Sequence, residues 1–128
     1  MSATATGRDS ATRSGSTATR RSSRRWRAKE VDQYSLEFAE PKLAPKLLEG
    51  LPGKIIQLGV IDVGTDEVER PEIVAARLRA ALEVLPAERL IAAPDCGCTA
   101  RDRAATRAKL RALVLGAESI RLELAARS

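Results

Sequence analysis

The chain has 128 residues, is 44% hydrophobic and carries a formal net charge of +5. Such a length fits one small domain, the apolar content excludes a wholly disordered chain, and with aromatics at 2% the core must come from Ala, Leu, Val and Ile. No apolar run approaches the ~18 residues of a membrane span and no leader pattern opens the chain, so a cytoplasmic protein with reduced thiols is expected.

The charge is unevenly placed. Residues 1–29 hold seven Arg, Lys29 and a single acid, Asp9, for +7, which leaves −2 for the rest. The basic surface therefore belongs to a Ser/Thr/Ala/Arg-rich tail, and the remainder makes no case for nucleic-acid binding. Lacking apolar periodicity, 1–29 is expected to be a disordered extension. A transit peptide, an electrostatic arm for RNA or anionic lipid, and sequence foreign to the rest of the chain are its other readings. One domain is expected over 30–128.

Within that domain, "VDQYSLEFA" (31–39) alternates and carries β-branched and aromatic residues, which predicts a strand. "LAPKLLEGL" (43–51) reads as a short helix with Pro45 near its first turn. "KIIQLGVIDV" (54–63) is a near-continuous apolar run, the pattern of a strand buried on both faces. A loop over 64–72 leads into a helix starting near Pro71, with Val74, Leu78, Ala81, Leu82 and Leu85 on one stripe, and Pro86 stops it. "RLIAAP" (89–94) predicts a third buried strand. A last helix over about 102–125 places Leu110, Leu113, Val114, Ala117, Ile120 and Leu124 on its inner face, with the Arg-rich surface at 103–111 solvated.

Strands joined through helices imply an α/β fold with a parallel sheet and right-handed crossovers. Three βα units cannot close a barrel, so they form either an open sheet or part of something larger. Neither Gly-x-Gly-x-x-Gly nor a Gly-Lys-Ser/Thr loop is present, which leaves dinucleotide and P-loop readings unsupported.

Chemistry in parallel α/β proteins gathers at the carboxyl ends of the strands. Here those ends carry Glu37, Asp62 and Asp95-Cys96. A carboxylate and a thiol on one rim suit part of a zinc site, which needs three or four ligands. The chain contains no His, so only Glu37, Cys96, Cys98 or an Asp could serve. Taken singly, each has a bland alternative: Cys96 as a small turn residue, Glu37 as a strand-end carboxylate, Cys98 as incidental, Asp62 and Asp66 as turn formers. Asp95 is expected to accept backbone N–H groups rather than touch substrate.

The stretches "QYSLEFAEP", "LGVIDVGTDEVERPEIVAARLRAALEVLPAERLIAAPDCG" and "AKLRALVLGAESIRLEL" resemble the carboxy-terminal end of cobalamin-independent methionine synthases, and more closely their shorter bacterial and archaeal relatives. The resemblance covers about residues 30–125. It implies the last three βα units, sixth to eighth, of a (β/α)8 barrel. It further implies that Glu37 and Cys96 are two ligands of a zinc ion whose other ligands are a His-x-Cys pair on an earlier strand. Zinc would favour the thiolate of a homocysteine-type substrate, which takes a methyl group from a methyltetrahydrofolate.

The departures are as specific as the match. There is no His, and no Cys before Cys96, so the zinc site is incomplete within the chain. A truncated product, inactive unless another chain completes it for a small-molecule thiol and methyl donor, is expected. The alternative is a non-catalytic remnant or interaction module. An open sheet edge would also favour a homo-oligomer.

Overall fold

The computed structural model describes residues 31–128; the tail expected over 1–29 lies outside them. Three parallel strands form one sheet in the order β1-β2-β3: β1 (Gln33–Leu36), β2 (Ile55–Ile61) and β3 (Leu90–Pro94). Two α-helices follow the second and third strands, α1 (Pro71–Leu82) and α2 (Arg103–Arg127). Short 3-10 segments occupy Pro45–Gly50, two turns, and Ala87–Arg89, one turn.

Each boundary has a local cause. Pro71 opens α1, where the missing N–H is not needed. Asp102 caps α2, its carboxylate accepting the amides of Ala104 at 3.0 Å and Ala105 at 3.3 Å. The segment Pro45–Gly50 stays 3-10 rather than α-helical, and its peptides close i→i+3 bonds such as Leu51 N–H to the Leu48 carbonyl at 3.0 Å. Arg89 fixes the start of β3 by donating to the carbonyls of Lys54 and Leu51, both at 2.6 Å.

The two faces of the sheet differ. Ile56, Leu58 and Val60 of β2, flanked by Tyr34, Leu36, Leu90 and Ala92, pack beneath Val74, Leu78 and Ala81 of α1 and Ala112 and Ile120 of α2. Burying each large aliphatic there is worth roughly 1.5–3 kcal/mol. Among the described residues the opposite face has no helix over it, and it carries Gln33, Ser35 and Gln57 together with Ile91. Gln57 Nε2 donates to Ser35 Oγ at 3.3 Å and Gln33 Nε2 to Gln57 Oε1 at 3.4 Å, both exposed.

Three expectations need correction. First, neither β2 nor β3 is buried on both faces: Ile55 and Gln57 are only partly buried and Ile91 is 42% exposed, because among the described residues helices cover one side of the sheet and β3 is an edge strand. Second, the inner face of α2 is rotated from the one expected. Lys109, Ala112, Gly116 and Ile120 are its buried residues, while Leu110 and Val114 are exposed. Gly116 explains the rotation, since a Cβ there would lie 2.6 Å from Val74 Cβ and 2.9 Å from the Pro71 carbonyl oxygen. The smallest residue thus marks the line of closest helix approach. Third, the 103–111 surface is not wholly solvated, because Lys109 within it is fully buried. Among the described residues, no helix is long and apolar enough to cross a membrane.

Candidate functional site

The rim at the carboxyl ends of the strands is built around Asp95. In register, Leu36, Leu58 and Ala92 lie side by side, so the residues that follow emerge together. The next positions are Glu37 after β1, Gly59 within β2 and Ala93 within β3. The β2–β3 register slips between Gly59 and Ile61, and Asp95 N–H returns to the Ile61 carbonyl at 3.0 Å. This irregularity puts the Asp95 side chain over β2.

From there the Asp95 carboxylate reaches the loop after β1. Its Oδ1 accepts the amides of Phe38 and Ala39, each at 3.0 Å, and Oδ2 accepts that of Glu40 at 2.6 Å. Asp95 is 6% exposed. The expectation that it accepts backbone N–H groups holds, although the donors belong to the β1 loop and not to its own turn. Gly59 makes the passage possible: a Cβ there would sit 2.0 Å from Asp95 Oδ1. The tie also shortens β1 to Gln33–Leu36, because the chain leaves the ladder at Glu37 to meet Asp95.

Cys96 follows directly and is exposed; Cys98 is half-buried, and both are free thiols. Partial shielding of its sulfur raises the Cys96 thiol above its ordinary value, and the carboxylates of Glu37 and Asp95 push it further in the same direction. Glu37 and Glu40 are exposed.

The β2 loop completes the rim. Asp62 Oδ1 accepts Gly64 N–H at 2.7 Å, an Asx turn. Asp66 pairs with Arg101 at 3.4 Å, linking this loop to the one after β3. Beneath it lies a charged cluster that sequence reasoning missed. Lys109 Nζ donates to the Asp62 carbonyl at 2.8 Å, to the Glu67 carbonyl, and to Glu69 Oε1 at 2.8 Å. Arg77 Nη1 donates to the Val60 carbonyl at 2.8 Å and Glu69 Oε2 at 3.3 Å. Burial alone would raise Glu69, but the hydrogen bonds from Lys109 and from Asp62 N–H outweigh it and hold the carboxyl below its ordinary value.

The structure thus brings Glu37, Asp95 and Cys96 to one rim and leaves Asp62 and Asp66 in turns and ion pairs. Gly59 had a readable signal, an isolated glycine inside an apolar strand, which marks a close approach. Lys109 had none, because an isolated Lys on an amphipathic helix ordinarily faces water. Among the described residues no group of three or more His, Cys, Asp or Glu is placed to hold an ion. Around the Cys96 thiol stand the carboxylates of Glu37, Asp95 and Glu40 and the thiol of Cys98.

Comparison with known proteins gives the arrangement a context. A family profile described as "Cobalamin-independent synthase, Catalytic domain" matches residues 17–119, starting within the basic stretch. The chain is 38% identical over 97 residues to a methionine synthase of Thermococcus kodakarensis, covering 75% of this chain and 29% of the relative. Against a 5-methyltetrahydropteroyltriglutamate–homocysteine methyltransferase of Herpetosiphon aurantiacus it is 36% identical over 100 residues, covering 76% and 13%. A 2-hydroxypropyl-CoM lyase of Xanthobacter autotrophicus is 45% identical over 67 residues, covering 52% and 18%. Among solved structures, a B12-independent methionine synthase from Shewanella sp. W3-18-1, in complex with selenomethionine, superposes with a TM-score of 0.79 at 39% identity, covering 81% of this chain and 30% of that one. The chain thus spans less than a third of the length of each of these relatives.

Proposed function

Because the chain belongs to the family of cobalamin-independent synthase catalytic domains, we propose that it contributes the Glu37–Cys96 half of a zinc site used for methyl transfer to a homocysteine-type thiol. The observation that carries this reading is the convergence of Glu37 and Cys96 at one rim of a parallel sheet. The methyltransferase relatives are named for homocysteine, and another relative is named a 2-hydroxypropyl-CoM lyase; the homocysteine thiol is the acceptor this reading takes.

In this reading Cys96 supplies a sulfur ligand and Glu37 an oxygen ligand. Bound between them and donors from further barrel strands, zinc would supply the positive charge that favours a substrate thiolate at neutral pH. Neither residue attacks the methyl group. Asp95 holds the rim together, and the Lys109–Glu69–Arg77 cluster anchors the β2 loop below it. The remaining donors, a His-x-Cys pair, are absent from the described residues, and the sequence contains no His. The chain by itself is therefore expected to bind zinc weakly and to transfer no methyl group.

Complementation tests this. The chain is co-expressed with a barrel segment that carries the His-x-Cys strand, and zinc content and methyl transfer are measured together. Stoichiometric zinc and activity in the pair, both lost with Cys96→Ser, support the proposal. Stoichiometric, submicromolar zinc in the lone chain, indifferent to Cys96→Ser, contradicts it. A second reading, a non-catalytic interaction module, is favoured by exposed apolar residues: Ile91 on β3, with Leu110, Val114 and Leu122 on α2. Pull-down of a partner by a chain that stays inactive after complementation would support that reading instead.

A further inference from the structure

We propose that Asp95 is a positioning residue: by gathering the amides of Phe38, Ala39 and Glu40 through the gap left by Gly59, it sets Glu37 beside Cys96. This rests on the reading of Glu37 and Cys96 as paired donors.

The argument is geometric. β1 and β3 are never neighbours, because β2 lies between them; at ~4.8 Å per strand spacing they stand about 10 Å apart. No ladder hydrogen bond can fix the end of one relative to the other. The Asp95 carboxylate supplies the missing link, with three backbone N–H groups on its two oxygens. It can cross only because position 59 carries no side chain. The three amides belong to the residues directly after Glu37, so the peptide carrying Glu37 is held at its carboxyl side. The residue after Asp95 is Cys96. One carboxylate therefore fixes the chain next to both donors, while its own oxygens are occupied by backbone groups. Such outer partners orient ligands without binding the ion, and their loss weakens metal affinity roughly 10- to 100-fold.

Two readouts on the full chain separate this inference from the zinc reading. The first needs no metal. Nitroxide labels are placed at Cys96 and at Glu37→Cys in a Cys98→Ser background, and spin–spin broadening is recorded. The parent is expected to show strong broadening from a close pair. Asp95→Asn, and independently Gly59→Ala, should each abolish it while circular dichroism stays unchanged. Absence of broadening in the parent, or its persistence in a folded Asp95→Asn chain, overturns the proposal. The second readout is cadmium binding, followed by the thiolate-to-cadmium charge-transfer band. Asp95→Asn should weaken binding by about the factor that Glu37→Gln does, with no further loss in the double variant. Additive losses would show that Asp95 acts through its charge and overturn positioning. A parent chain with no Cys96-dependent band contradicts the zinc reading, and the spin-label result still decides whether Asp95 sets Glu37.

Discussion

Lys109 is a fully buried cation, and its three acceptors explain why it can be. A buried ammonium is tolerable only when each proton has a partner, and here two carbonyls of the β2 loop and Glu69 supply them. Removing one member leaves the others desolvated. Lys109→Met is thus expected to destabilise the fold by about 3–5 kcal/mol, read as a lower urea midpoint. The cluster also makes an acid-sensitive contribution. Glu69 has a folded pKa below its unfolded value, so its stabilisation is complete above the ordinary carboxylate range and disappears as the pH falls through the depressed value. Denaturation at pH 7 and again at pH 3 should show a gap between the parent chain and Glu69→Gln that narrows on acidification; a gap that widens would contradict the assignment.

Among the elements, β2 and α1 were legible because their period is unambiguous. Ile56, Leu58 and Val60 sit in a continuous apolar run, and Val74, Leu78 and Ala81 repeat at helical spacing; all six are buried. The face of α2 was misread because apolar residues nearly surround the helix. Leu110, Val114 and Leu122 are exposed, and hydrophobicity alone could not choose among the stripes. Gly116 chooses, by letting α2 approach Val74, and closeness of packing leaves no trace in hydrophobic periodicity. Gly116→Ala sets two effects against each other. Helix propensity favours Ala by up to about 1 kcal/mol, while overpacking costs about 1–3 kcal/mol. With the new Cβ at 2.6 Å from Val74 and 2.9 Å from a backbone oxygen, overpacking wins, and a lower melting temperature is expected. A rise would show that α2 can shift outward at little cost.

At the scale of the whole molecule, the sheet is finished on one face only. Helices cover the Ile56–Leu58–Val60 side, and the Gln33–Gln57–Ser35 side is open. Within a (β/α)8 barrel that open side is the one that further strands would enclose, and Ile91 stands on it beside Gln57. The parallel α/β order, and the placement of Glu37 and Cys96 just beyond the carboxyl ends of β1 and β3, were readable from motif and strand order. What sequence could not supply was the tie between them, since Asp95 and the Phe38–Glu40 amides are more than fifty positions apart and meet only through Gly59. A β3 edge that is unpaired among the described residues, with Ile91 exposed, also predicts self-association. Sedimentation should show a concentration-dependent assembly that Ile91→Lys weakens, and a strictly monomeric chain at high concentration would oppose this.

The central claim is that Glu37 and Cys96 act as one half-cradle. Calorimetric titration of zinc into the 128-residue chain, alongside Glu37→Gln, Cys96→Ser and the double variant, tests it most directly. The account predicts weak one-to-one binding in the parent, reduced by either single substitution, with the double variant no weaker than Cys96→Ser alone. Binding of equal strength in all four proteins would contradict it.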